Sequence, residues 1–219
     1  METFKELMFL GMPIGIGIFV ELSMFSGAAL ILGPLGDIVL ASHSIALSIA
    51  SIAFMLPLSI GLAAATRVGN LLGENRLDGA KYASKLAIAI TLFTATSNTV
   101  AIIVLDEWIV SFFTTEAVVI NSALSLLVLA AIFQLPDGFQ MGALGSLRGY
   151  KDTFIPMILL MISYWVFALP AGYFLTYIGI DEPMGAQGVW VGMIIGLTIF
   201  SVLAISRLRF VIKLSLRQI

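Results

Sequence analysis

The chain reads as six long apolar stretches separated by short polar breaks. The stretches fall at about 8–32, 39–64, 84–105, 117–141, 155–178 and 187–206. Each is near or above the ~20 residues that an α-helix needs to cross ~30 Å of hydrocarbon. The apolar runs are continuous rather than alternating, which predicts helices and argues against a β-barrel. Gly33-Pro34-Leu35-Gly36 is a helix-breaking cluster, and the turn it makes is so short that the first two helices are expected to be antiparallel neighbours. The longest polar connection runs from Ala63 to Lys85 and carries Arg67, Glu74, Arg76, Asp78, Lys81 and Lys85. Pro13, Pro57 and Pro136 lie inside apolar stretches and predict helix distortions there. Such distortions are tolerated in membranes, where neighbouring helices satisfy the freed backbone groups.

Composition agrees with the pattern. Of 219 residues, 60% are hydrophobic and 11% charged, with a mean hydropathy of +1.08. This is an integral membrane composition. The expected fold class is an all-α polytopic membrane protein, with residues 1–219 forming a single six-helix transmembrane lobe. Abundant glycine fits close helix packing in lipid. The absence of cysteine excludes disulfides, thiolate nucleophiles and cysteine metal sites. The opening METFKELMF lacks the small-residue cleavage signal of a secretory leader. No basic patch interleaved with aromatics supports nucleic-acid binding. No nucleophile–base set, multi-histidine cluster or phosphate loop points to an enzyme or a cofactor.

Charge sorting gives the topology. With the N-terminus inside, all 11 Lys and Arg fall on one side: position 5, the 67–85 segment, the 148–151 loop and the tail of Arg207, Arg209, Lys213 and Arg217. The opposite connections carry Asp37, Asp106, Glu107, Glu116, Asp181 and Glu182. This is the positive-inside pattern, and it places both termini in the cytoplasm. Trp108 reads as an interface anchor, and His43, the one histidine, lies at the start of the second span near the membrane interface, where water is accessible.

Two carboxylates remain within the apolar stretches. Glu21 falls near the middle of the first, and Asp137 sits between Pro136 and Gly138 in the fourth. A carboxylate at such depth is costly unless it faces protein, water or a cation. No Lys or Arg is placed in sequence to neutralise either one. Glu21 is open to two readings, a structural pair or protonated acid inside a bundle, and an ion- or substrate-coupling site. The natural partners of the pair are a proton, a metal cation or a cationic ligand, and carboxylate oxygens suit hard cations. Thr91, Thr94, Thr96, Ser97 and Asn98 in the third stretch are hydroxyl and amide groups suited to bonding between helices. Phe54-x-Leu56-Pro57 with a later Gly61 is echoed by Phe133-x-Leu135-Pro136 with a later Gly142, a weak internal repeat of the kind found in transporters.

The residues Gly11-x-Pro13 through Glu21, Pro34-Leu35-Gly36, Phe54-Met55-x-Pro57-x-Ser59-x-Gly61 and Arg67-Val68-Gly69 carry a resemblance. So do Gln134-x-x-Asp137-x-x-Gln140 and Leu147-Arg148-Gly149-Tyr150-Lys151-Asp152. Together they resemble the multidrug and toxic compound extrusion family, in order and over nearly the whole chain. The resemblance implies the C-terminal six-helix lobe of a bacterial drug/cation antiporter in the cytoplasmic (inner) membrane. Family members have two six-helix lobes around a central cavity and export organic, often cationic, drugs against sodium or protons. In the sodium-driven branch, a membrane Glu and Asp on the first and fourth helices of this lobe match Glu21 and Asp137. The resemblance therefore implies a Na+ site at Glu21 and Asp137, with H+ as the alternative coupling ion. Phe133 stands where relatives commonly carry Tyr, and Ser44 and Ser48 stand where they often carry Gln and Asn. Phe54, Phe133 and Gln134 are candidate substrate-cavity residues. A second, N-terminal lobe, or a second copy of the chain in a homodimer, is the expected partner. A non-transporting membrane fragment or subunit is the remaining reading.

Overall fold

The computed structural model describes residues 2–216, so Arg217 of the expected basic tail lies outside the described residues. Helix α1 runs over Glu2–Leu32 and a single 3-10 turn, Gly33–Leu35, leads into α2 at Asp37–Gly73. Then follow α3 at Leu77–Val104, the short α4 at Asp106–Ser111 and α5 at Ala117–Gly149. The fifth span is built of α6 (Phe154–Met161), a π-helical segment (Ile162–Ala168) and α7 (Leu169–Tyr177), and α8 (Ala186–Ser215) closes the fold. Among the described residues there are six helical spans long and apolar enough to cross a membrane and no strand. The fold class is therefore all-α, one membrane-spanning lobe.

The helices extend past the apolar stretches. The segment Ala63–Lys85 is helical except at Glu74, Asn75 and Arg76, so the long polar connection expected there is a three-residue turn. Asn75 takes the left-handed conformation at φ 57°. Beyond the apolar run, α2 is held by Val68 and Leu71, which are buried against Ala80 of α3. Hydropathy marks the hydrocarbon, whereas a helix ends where its packing and backbone bonding end.

The bundle is centred on α5. Helices α2, α3 and α8 all pack against it. Lipid tails are as apolar as leucine, so close van der Waals packing and interhelical hydrogen bonds hold such helices together. Small residues make that approach possible. A Cβ at Gly145 of α5 would collide with the backbone carbonyl of Gly61 in α2, and one at Gly192 of α8 with the backbone of Gly172 in α7. Polar side chains add interhelical bonds: Asn98 Nδ2 donates to the Ala53 carbonyl (2.8 Å), and Thr99 Oγ1 donates to the Ala131 carbonyl (2.8 Å). Thr96 and Ser97 instead bond their own helix at exposed positions.

The first two helices depart from expectation. Although a short turn joins them, α1 and α2 are not packing partners along their lengths; α1 lies mainly against the fifth span. Tyr177 donates to the Ile31 carbonyl (2.6 Å), and Trp165 Nε1 donates to Ser23 Oγ (3.1 Å). Turn length fixes connection, but side-chain complementarity decides which helices touch. At the basic end, Lys151 pairs with Glu6 (2.5 Å) and Arg207 with Asp152 (2.7 Å), which gathers the starts of α1 and α6 and the end of α8.

Proline falls inside four of the six spans. Pro13, Pro57 and Pro136 lie inside α1, α2 and α5, and α-helical winding runs through each. π-helical winding falls just before Pro170. There the Leu169 amide reaches back five residues to the Tyr164 carbonyl. Pro170 lacks an amide hydrogen, and its ring crowds the carbonyl four residues earlier. Wider winding upstream accommodates that defect, and such π segments recur at functional sites.

Candidate functional site: a charged cleft between the first two helices

The gap between α1 and α2 is a cleft of about 460 Å³ with α5 at its back. Glu21 and Phe25 enter it from α1, Phe54 from α2, and Phe133, Asp137 and Arg148 from α5. The two carboxylates singled out in the sequence thus face one space, although 116 residues separate them. Phe54 and Phe133 line the same space. Phe133 packs edge-on against both Phe25 and Trp190, with ring centroids 6.1 Å apart in each case.

Gln134 does not line the cleft. It is fully buried, and its Nε2 donates at 3.4 Å to the Ala50 carbonyl of α2. One residue along a helix turns a side chain by about 100°, which takes Gln134 off the face that Phe133 and Asp137 share. Pro13 lines a small neighbouring void with Glu21, and Pro136 accepts a hydrogen bond from Ser201 Oγ of α8 (2.7 Å). His43 is not at a wet interface. It is 1% exposed, edge-on to Trp190 at 5.8 Å, with neither ring nitrogen hydrogen-bonded.

Glu21 is held from behind by a chain of hydrogen bonds. Gln140 Nε2 donates to Glu21 Oε1 (3.1 Å), and Tyr164 of the π segment donates its hydroxyl to Gln140 Oε1 (2.7 Å). Gln140 and Tyr164 are fully buried. Because the phenol donates to Gln140 Oε1, the amide is oriented with its NH2 toward the carboxylate. Asp137 is 2% exposed, and its Oδ2 has no hydrogen-bond partner. A buried carboxylate oxygen left open beside a second carboxylate is a strong acceptor for a cation or a proton. The acidic donors that line the cleft, Glu21 and Asp137, offer oxygen atoms, the donor type that suits hard ions rather than soft metals.

Arg148 corrects the sequence reading that no basic residue neutralises the carboxylates. Helix α5 runs on through Gly149, so Arg148 occupies its last turn rather than a surface loop. The side chain lines the cleft with Glu21 and Asp137, and it also lines the adjoining void of about 20 Å³ with Glu21 and Thr153. Its Nε is buried without a partner.

In the sequence Gln140 stands out only as part of a motif and Tyr164 not at all, and neither is marked as a partner of Glu21. Gln140 stands one turn after Asp137, which was a usable signal. Tyr164 carries no such periodicity, because its inward position depends on the π winding.

The chain resembles known proteins along most of its length. Residues 13–174 match the MatE family model. It is 43% identical over 194 residues to the multidrug resistance protein NorM of Vibrio vulnificus, covering 88% of this chain and 42% of that protein. It is 38% identical over 209 residues to the multidrug resistance protein MdtK of Edwardsiella ictaluri, covering 95% of this chain and 46% of that protein. The crystal structure of the eukaryotic MATE transporter AtDTX14 superposes with a TM-score of 0.87 at 23% identity, covering 99% of this chain and 49% of that one. A crystal structure of MATE in the straight conformation superposes with a TM-score of 0.90 at 18% identity, covering 99% and 48%. The chain spans less than half the length of these relatives. By the match across 13–174 and by the identity to NorM and MdtK, the chain is a membrane protein of the MatE family, and its fold is one six-helix lobe of that family's architecture.

Proposed function

We propose that this chain is the C-terminal lobe of a cation-coupled multidrug antiporter, with Glu21 and Asp137 as its cation site. The observation that carries the reading is that both membrane carboxylates, on α1 and α5, face one largely apolar cleft. Support comes from relatives that are named multidrug resistance proteins. The placement of a Glu on the first helix and an Asp on the fourth favours the C-terminal lobe over the N-terminal one.

The chemistry follows from charge. The coupling ion is sodium, bound by carboxylate oxygens, and protons compete for the same oxygens. An organic cation entering among Phe25, Phe54 and Phe133 is attracted by the carboxylates and by the faces of the rings. Drug and coupling ion draw on the same negative charge, so occupancy by one opposes the other, which is the requirement of an antiporter.

A single lobe does not complete the cycle. Alternating access needs two bodies that rock around a central site, and among the described residues the cleft is bounded by α1, α2 and α5. A second lobe covers the cleft and supplies its other wall. The basic helix ends lie in the cytoplasm, so a preceding lobe joins without an extra crossing. The test is efflux of a fluorescent cationic dye from cells carrying this chain alone or with a six-span N-terminal lobe. Export only by the pair is expected. Export by the chain alone at the rate of the pair would refute the need for a different lobe, and crosslinking would then reveal a homodimer.

A further inference from the structure

We propose that Arg148 sets the charge of the cleft so that it accepts one monovalent cation and disfavours divalent ions. The inference rests on Glu21 and Asp137 forming the cation site, and goes beyond it by assigning valence selectivity to a third residue.

Three charged side chains line the cleft among the described residues: Glu21, Asp137 and Arg148. Two ionised carboxylates alone would present a charge of −2, matched by one divalent ion or two monovalent ones. The guanidinium stays protonated at any physiological pH. It leaves the cleft with a net charge of −1, which one sodium ion, one proton or one monovalent organic cation balances. In a low-dielectric surrounding, an unbalanced charge is costly. A divalent ion would leave the cleft at +1 and meet twice the guanidinium repulsion that a monovalent ion meets at the same place.

The placement of Arg148 fits a standing charge rather than a fixed ion pair. It borders both the cleft and the adjoining void that also contains Glu21. No ion pair within 4.0 Å joins it to Glu21 or Asp137, and its Nε is buried without a partner. A direct salt bridge would have consumed one carboxylate and left a single acid for the ion. Held back from contact, Arg148 lowers the net charge and leaves both acids free to ligate. Arg207, by contrast, is bonded to Asp152 at 2.7 Å and has a partner of its own.

The experiment is calorimetric titration of the purified chain with NaCl, and separately with CaCl2 and MgCl2 at matched ionic strength. The wild type is expected to bind Na+ in preference to either divalent ion. Arg148→Gln and Arg148→Met should each raise divalent affinity relative to Na+ by about tenfold or more, as expected for loss of a nearby positive charge. Arg148→Lys, which keeps the charge, and Arg209→Gln, which removes an exposed one, should keep the wild-type ratio. An unchanged ratio in both uncharged variants would overturn the proposal, as would a lysine variant that behaves like the glutamine one. If neither uncharged variant folds, the wild type still decides, because tighter divalent than Na+ binding would overturn the proposal. Failure of the underlying site has a different signature. Glu21→Gln and Asp137→Asn would then leave Na+ binding untouched, whatever Arg148 does.

Discussion

Replacing Tyr164 with phenylalanine removes one oxygen and little else. The ring remains against Phe200, with centroids 6.1 Å apart. What disappears is the 2.7 Å hydrogen bond that orients the Gln140 amide toward Glu21. Gln140 Oε1 is then buried without a donor, at a cost of about 1–3 kcal/mol. The amide can relieve that cost only by rotating, which turns its oxygen toward Glu21 and adds repulsion. Either way the proposed cation site at Glu21 loses its support from the fifth span. If about half of the upper figure falls on the bound state, roughly 1.5 kcal/mol, Na+ affinity drops about tenfold. The assay is calorimetric Na+ titration paired with a thermal melt. Gln140→Leu should act through the same chain, so the double variant should cost less than the sum of the two singles. A Tyr164→Phe protein with wild-type affinity and a wild-type melt would refute the idea that this hydrogen-bond chain positions Glu21.

Other expected outcomes test the packing and the topology. Gly145→Ala should destabilise by about 3 kcal/mol in a thermal unfolding series, because the added methyl meets the Gly61 backbone and neither helix can yield cheaply. Gly11→Ala, inside α1 with open space around it, should be neutral or stabilise by up to about 1 kcal/mol in the same series. His43→Phe should leave the melt unchanged or raise it, since the imidazole nitrogens have no partners to lose and the ring contact with Trp190 is kept. The chain has no cysteine, so single cysteines introduced at 37 and 76 report topology cleanly. Position 37 should label from outside and position 76 from inside, and equal labelling of both from outside would sink the topology.

Much of the fold was legible because lipid imposes a simple code. Continuous apolar runs require internally bonded backbone, and for single segments that means helices. The carboxylates were legible for the same reason, since a charge inside an apolar run stands out. What the code does not contain is lateral order. The turn at Gly33–Leu35 implied that α1 and α2 would pack together, yet hydrogen bonds from Trp165 and Tyr177 draw α1 to the fifth span and leave the cleft open. Arg148 was assigned to a polar loop because hydropathy falls there, whereas α5 continues and carries it into the cleft. The π winding before Pro170 was likewise hidden. A proline signals a defect, but which neighbouring turn absorbs it depends on packing around Tyr164.

The central claim is that Glu21 and Asp137 together hold one cation. Sodium titration of the purified chain at neutral and at acidic pH, with Glu21→Gln and Asp137→Asn alongside, tests it most directly. Binding should weaken as pH falls, because each carboxylate must be ionised to ligate. Each single substitution should weaken it strongly, and the double substitution should add less than the sum of the two. Undiminished sodium affinity in both single variants would contradict the account.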